Sequence, residues 1–131
     1  MSKLISETVK IDQAFAPADI SATKTSAYFS MANYRRVLAV SNVASIAEGK
    51  TTTIQLMQAT DDQGTGAKVL GDAVTVNGAG AAVSATVEAF ASDLDDGFTC
   101  VAVQIVSTAD SPIYGAALLL RGDGRYGTAS E

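Results

Sequence analysis

Few residues of this chain could do chemistry, and one short segment of them resembles a phosphate-binding sequence motif. Ala44 to Thr51 reads Ala-Ser-Ile-Ala-Glu-Gly-Lys-Thr, a relaxed phosphate-binding pattern with Ala in place of the first glycine. That chemistry needs backbone amides around the phosphates, Lys50 on the terminal phosphates and a helix that begins at Lys50. Thr51 to Leu56 is instead typical of a strand, because its β-branched residues disfavour a helix. We therefore interpret Glu48-Gly49 as a hairpin turn and regard a nucleotide-binding enzyme as nearly excluded.

Acidic residues cluster at Asp93, Asp95 and Asp96, just before Gly97. A calcium loop of the helix–loop–helix type needs oxygen ligands at its first, third and fifth positions, glycine at the sixth and glutamate at the twelfth. Counted from Asp93, the fifth position is Gly97 and the twelfth is Gln104, so the pattern fails. The cluster is interpreted as a solvated turn that ends a helical turn, and neither a metal nor a cofactor is predicted.

Nucleophilic catalysis has no base to support it, because the sequence contains no histidine. Cys100 lies in an apolar strand-like run and is predicted to be a small buried hydrophobe. Arg121-Gly122-Asp123 matches an adhesion tripeptide, but Gly122 is more simply the exit from a last strand. We predict that the protein is not an enzyme.

Length and composition indicate one globular domain with sparse charge. The chain has 131 residues, of which 47% are hydrophobic and 18% charged, and its net charge is −5. No basic stripe is present that could displace counterions from nucleic acid, and no apolar run reaches the ~18 residues of a membrane span. One cysteine allows no intrachain disulfide, which fits synthesis in a cytoplasm. A surface with so few charges favours a partner that covers part of it.

Strand-like segments separated by glycine, aspartate and asparagine turns fill the chain from about residue 25 onward. Val37 to Val40 is apolar on both faces, as expected for a central strand, whereas Ile54 and Leu56 are predicted to face inward between outward Thr53 and Gln55. These patterns predict an all-β fold, a single antiparallel β-sandwich that is jelly-roll-like. The predicted strands are Thr25 to Met31, Tyr34 to Val43, Lys50 to Ala59, Val69 to Val76, Ala82 to Ala89, Phe98 to Ser107 and Ile113 to Arg121.

Residues 1–24 differ in pattern and are predicted to form an extended N-terminal arm before a β-sandwich domain of residues 25–131. Their apolar residues are scattered among polar ones and Pro17 interrupts them, so at most one short strand is expected, around Thr8 to Ile11. Such an arm either packs along its own domain or reaches onto a neighbour, and the sequence leaves both alternatives open.

From Asn33 onward the order of residues resembles that of small head proteins of tailed bacteriophages and prophages. The likeness covers about 95 residues and includes a Leu-Asp-Asp-Gly-Phe turn and a final Ala-Ala-Leu-Leu-Leu-Arg-Gly strand. The segments that carry it are Ala39-Val40, Gln58 to Lys68, Leu94 to Phe98, Ala116 to Gly122 and Arg125-Tyr126.

The resemblance implies a capsid decoration (cement) protein, which binds the outside of an expanded phage head and clamps neighbouring major capsid subunits. It implies a homo-oligomer on the virion exterior, made in the cytoplasm of a bacterial host, with the major capsid protein as partner. The arm residues proposed for contact are Leu4, Ile5, Val9, Ile11 and Phe15. The alternatives are another virion component, such as a tail, neck or head-fibre base protein, and a small receptor- or carbohydrate-binding sandwich.

Overall fold

The computed structural model describes residues 9–19, 23–44, 49–78, 83–108 and 114–122. Nine β-strands and one 3₁₀ turn, Ala91–Asp93, make up its regular structure. No helix in these ranges is long and apolar enough to cross a membrane. In chain order the strands are β1 (Val9–Asp19), β2 (Lys24–Thr25), β3 (Phe29–Ser30), β4 (Arg36–Val43), β5 (Thr51–Ala59), β6 (Lys68–Asn77), β7 (Val83–Phe90), β8 (Cys100–Ser107) and β9 (Tyr114–Gly122).

The strands form two antiparallel sheets, which confirms the predicted all-β sandwich. One sheet has four strands in the order β1-β9-β4-β7. The other has the order β2-β8-β5-β6, and β3 pairs with β8 beyond the end of β2. As predicted, β4 is a central strand, because β7 pairs with one of its edges and β9 with the other.

The core is one apolar layer between the two sheets. Strand alternation turns Leu119 of β9 and Val37 of β4 inward, where they meet Ile54 and Leu56 of β5. The predicted inward set on β5 is therefore confirmed. Cys100 is buried as predicted, and the remaining fully buried large side chains are Leu70, Val101, Val103 and Ile105.

The predicted strand Thr25 to Met31 is broken into β2 and β3 by a bulge. Ser26 is buried, its hydroxyl accepts a hydrogen bond from the Val103 N–H at 3.0 Å, and Ala27 is exposed. The register moves from Thr25 opposite Gln104 to Phe29 opposite Val101, so the β2–β3 segment carries one extra residue. Because a one-residue insertion exchanges the two faces of a strand, Ser26 and Met31 are both buried although they are five residues apart.

Residues 9–19 of the predicted arm form β1, which pairs antiparallel with β9 in the chain's own sandwich. The strand follows β9 with two register shifts, between Gln13 and Phe15 and between Phe15 and Ala18. Phe15 and Ala14 pack against the core from this edge. Of the two alternatives for the arm, these residues adopt packing along their own domain.

Arg121 of β9 ties both sheets together at this edge. Its Nη2 donates to Asp12 Oδ2 of β1 at 2.7 Å, and its Nη1 donates to the Ser30 carbonyl of β3 at 2.6 Å. The guanidinium also lies 4.7 Å from the ring centroid of Tyr34 and 5.5 Å from that of Phe29. The Arg121 side chain is only 12% exposed and that of Asp12 21%, so the pair is largely withdrawn from water.

We expect Asp12→Ala to lower the free energy of unfolding by about 3 kcal/mol, because it leaves a largely buried guanidinium without its counter-charge. Arg121→Met should also be destabilising, because it leaves the Asp12 carboxylate without its counter-charge and the Ser30 carbonyl without its donor. A double-mutant cycle in urea measures the coupling between the two residues. A coupling near zero would contradict this account of the edge.

Asp61 organises the hairpin between β5 and β6. Its Oδ2 accepts the Thr65 hydroxyl at 2.8 Å, and its Oδ1 accepts the amides of Gln63 at 2.9 Å and Thr65 at 3.2 Å. These bonds, above all the one from the Thr65 hydroxyl, favour the ionised form and hold the pKa of Asp61 below its ordinary value. The lowered pKa stabilises the turn above the unfolded-state pKa, and this contribution disappears as the pH falls through the folded-state pKa.

Thr65→Val should raise the pKa of Asp61 toward its ordinary value, because it removes the hydroxyl donor and keeps the backbone one. An NMR titration of the Asp61 carboxyl carbon measures the change. Thr60→Val is the matched control, since the Thr60 hydroxyl donates to the Thr65 carbonyl and not to Asp61. An equal shift in both variants would show that the turn, and not the Thr65 hydroxyl, sets the pKa.

Candidate interaction surface

Where the structure describes them, the residues of the motifs that resembled chemical sites have structural roles. Thr51 is the first residue of β5, so the helix that a phosphate loop requires at Lys50 is not formed. Arg121 is engaged by Asp12 and the Ser30 carbonyl, which leaves its guanidinium unavailable to an adhesion partner. Gly122 ends β9, as predicted for the exit from the last strand.

The acidic cluster forms the turn between β7 and β8. Asp93 Oδ2 accepts the Phe90 amide at 2.9 Å and so caps the 3₁₀ turn. Asp95 forms an ion pair with Lys68 of β6, and its amide donates to Gln58 Oε1 at 2.8 Å. Gly97 adopts a positive φ of 84°. Among the residues that the structure describes, no group of three or more His, Cys, Asp or Glu side chains could hold a metal ion.

The outer face of the four-stranded sheet carries a continuous apolar patch. Since side chains of paired residues lie on the same face, Ile11 of β1, Leu120 of β9 and Leu38 of β4 form one row across the sheet. Leu118 and Val40 form the next row. Ile11 is 53% exposed and Leu118 41%, while Leu38, Val40 and Leu120 are half-buried. We call these five residues the apolar face.

Polar and charged residues surround the apolar face at its edges. Gln13 of β1 adjoins Leu118, and Thr86 and Glu88 of β7 lie opposite Val40 and Leu38. Beyond Leu38, Arg36 places its guanidinium 5.5 Å from the ring centroid of Phe90. An exposed apolar patch with a polar rim is an arrangement that marks interaction sites on proteins.

The outer face of the five-stranded sheet is polar along its middle rows, with Val69, 45% exposed, beside Met57 at its β6 edge. Thr53 and Thr75 hydroxyls lie 2.9 Å apart across β5 and β6, and Gln55 is hydrogen-bonded to Gln104, which donates to the Thr25 hydroxyl at 2.9 Å. These side chains satisfy one another in a ladder across β6, β5, β8 and β2. The contrast between the two sheets points to the four-stranded one as the contact surface.

The residues predicted for partner contact divide into three groups. Ile11 belongs to the apolar face, and Val9, half-buried, lies two residues before it on the same side of β1. Phe15 packs against the core instead. Leu4 and Ile5 lie outside the described residues, so their contact role stays a prediction.

Sequence reasoning did not single out Leu38, Val40, Leu118 or Leu120 for this surface. The available signal was that β4 and β9 are apolar on both faces, and for β4 alone this pattern was interpreted as that of a central strand. Both strands are indeed central, but no further layer in the described structure covers their outer face. A strand with two apolar faces in a two-layer fold is therefore itself a sign of an interaction surface.

Leu118 and Leu119 are adjacent and provide a matched test of the two faces. We expect Leu119→Ala to lower the free energy of unfolding by about 3 kcal/mol, because Leu119 is 0% exposed and its loss leaves a cavity. Leu118→Ala should cost less than about 1 kcal/mol, since the side chain is already partly in water. Urea denaturation of both variants measures the difference, and equal losses would mean that the outer face is part of a core.

Comparison with known proteins identifies the fold. No protein-family model and no curated protein matches the sequence. Among solved structures, the chain is similar to one from infectious bursal disease virus, Gx strain, with a TM-score of 0.61 at 12% identity over 91% of this chain. A Gt-strain structure of the same virus gives 0.50 at 14% identity over 92%. The SPBc2 prophage-derived protein YomS gives 0.46 at 8% identity, over 92% of this chain and 99% of its own.

The chain spans about a third of the two infectious bursal disease virus chains, 34% of the Gx-strain chain and 31% of the Gt-strain chain. At these identities the likeness establishes a shared β-sandwich fold. The function has to be argued from the chain's own surface.

Proposed function

We propose that the protein is a structural component of a virion, a decoration protein that binds the outer surface of a phage head and clamps neighbouring major capsid subunits. The observation that carries the proposal is the apolar face, a nearly uncharged surface on a fold whose apparent chemical motifs are turns and edge contacts. The resemblance of residues 33–131 to small phage head proteins supplies the identity of the partner.

The charge distribution supports a contact that is not driven by electrostatics. The chain carries a net charge of −5, yet Arg36 and Glu88 are the charged residues that border the apolar face in β4 and β7. Their opposite signs leave the surface close to neutral. Burial of Leu118, Ile11 and their neighbours would then provide most of the binding free energy, at about 25 cal/mol for each Å² of apolar area.

The size of the sheet explains why one contact would not suffice. The sheet is four strands wide at a spacing of about 4.8 Å and about eight residues long at a rise of about 3.3 Å per residue. Its outer face therefore measures roughly 500 Å². A stable interface of standard size covers about 800 Å² on each partner. Residues that precede β1, with the predicted contacts Leu4 and Ile5, would extend the area onto a second capsid subunit. Repetition by capsid symmetry then adds avidity.

Such binding would reinforce the head mechanically. A protein that bridges two capsid subunits is bound only while they keep their mutual position, so subunit separation has to break its contacts. By linkage, occupancy of the intact shell raises the free energy needed to disrupt it.

The test is co-sedimentation of the purified protein with expanded capsids of the phage that encodes it. We expect saturable binding at micromolar concentration, at a stoichiometry set by the capsid lattice, and a higher temperature of capsid disruption. Leu118→Asp should abolish binding, because it places a charge in the apolar face. Thr75→Asp is the matched control on the other sheet and should bind like the wild type.

Three results would contradict the proposal. A wild-type protein that stays in the supernatant with expanded capsids would exclude a decoration role. Binding to purified tails or necks in place of heads would favour the alternative of another virion component. Equal binding of Leu118→Asp, with the fold verified by circular dichroism, would exclude the apolar face as the contact.

A further inference from the structure

The edge strand β7 has the most regular unpaired edge among the described strands. It pairs with β4 over eight residues, Arg36↔Phe90 to Val43↔Val83, without a register shift. On its other side, no described strand pairs with it.

Three hydrogen bonds establish which backbone groups point to that edge. The Ala44 amide donates to the Tyr114 carbonyl at 2.7 Å, so the even-numbered residues of β4 face β9 and the odd-numbered ones face β7. The Ala91 amide donates to the Arg35 carbonyl at 2.7 Å, so the odd-numbered residues of β7 face β4. The N–H and C=O of Ser84, Thr86 and Glu88 therefore point away from β4. The Phe90 amide points the same way and is capped by Asp93.

The other sheet edges carry features that prevent strand addition. β1 has two register shifts and Pro17, which lacks an N–H. β6 has a register shift opposite Ile54 and Leu56 and a positive φ of 71° at Gly71. β2 and β3 are two residues long. Since proteins protect their edges in these ways, the uninterrupted edge of β7, whose one charged residue is Glu88, is the described edge best able to pair with another strand.

We infer that β7 is a self-association edge, on which a second copy of this chain adds its own β7 antiparallel about a two-fold axis at Thr86. In this register Thr86 lies opposite its own copy and Glu88 lies opposite Ser84. A two-fold axis at Glu88 is disfavoured, because it would place two carboxylates opposite each other. The same patch then serves both partners, as an isologous dimer requires.

Pairing of this kind would join two four-stranded sheets into one continuous sheet. The two apolar faces would lie side by side on one surface, so the dimer would present about twice the apolar area of the monomer in the same direction. Edge pairing alone buries less than the ~800 Å² per partner of a standard interface, so the dimer should be weak and concentration-dependent. This inference does not rest on the capsid proposal.

Sedimentation velocity from about 10 µM to about 1 mM tests the inference on the full chain. The wild type should change from monomer to dimer within this range. Thr86→Pro removes the outward N–H and no bond to β4, so its association should be weaker by about tenfold or more. Thr86→Val keeps the N–H and is the matched control, expected to associate like the wild type.

Cysteine cross-linking tests the register without a proline. Thr86→Cys should form an interchain disulfide on mild oxidation, because its Cα atoms would lie about 5.5 Å apart across the two-fold axis. Ser84→Cys and Glu88→Cys should cross-link efficiently only when mixed with each other. The native Cys100 is buried and provides the background control.

A monomeric wild type at every concentration, or unchanged association of Thr86→Pro, would overturn the inference. So would efficient cross-linking of Glu88→Cys with itself. If the wild type dimerises in solution and Thr86→Pro still binds capsids, the dimer is supported by the first result and the capsid contact by the second. Loss of capsid binding by the wild type would affect the capsid proposal alone.

Discussion

Burial of one apolar layer between two antiparallel sheets is the interaction on which the rest of the structure depends. Every long strand contributes its inward side chains to that layer, from Leu119 and Val37 on one sheet to Ile54 and Leu56 on the other. Because alternation fixes which residues face inward, it also fixes which face outward. The composition of the outer faces, and hence the surface available to a partner, follows from the same register that builds the core.

At the β1 edge, an ion pair and a hydrogen bond join the two sheets of the sandwich. Arg121 continues the inward row of β9 beyond Leu119, and there it meets Asp12 of β1, the Ser30 carbonyl of β3 and the Tyr34 ring. One guanidinium thus satisfies groups from both sheets where the apolar layer ends. The same contacts hold β1 against its own domain, which positions Ile11 beside Leu120 and completes the apolar face.

The two outer faces differ because their residues meet opposite requirements. Threonine and glutamine on the five-stranded sheet bond to one another and to water, so that face is stable when exposed. Leucine, isoleucine and valine on the four-stranded sheet have no such alternative, and their exposure costs free energy until something covers them. A protein with sparse charge and no apparent catalytic cluster in its described structure is therefore best understood through the surface that it leaves uncovered.

The sequence by itself determined the all-β class, the position of most strands and the inward set of β5, because these depend on local alternation and turn residues. It also reduced the apparent motifs at Lys50 and Asp93 to turns. It did not predict the bulge at Ser26, the pairing of β1 with β9 or the contacts of Arg121. Those features join residues far apart in the chain, and only the tertiary structure decides which strands become neighbours. The apolar face depends on that choice, since it combines β1, β9 and β4.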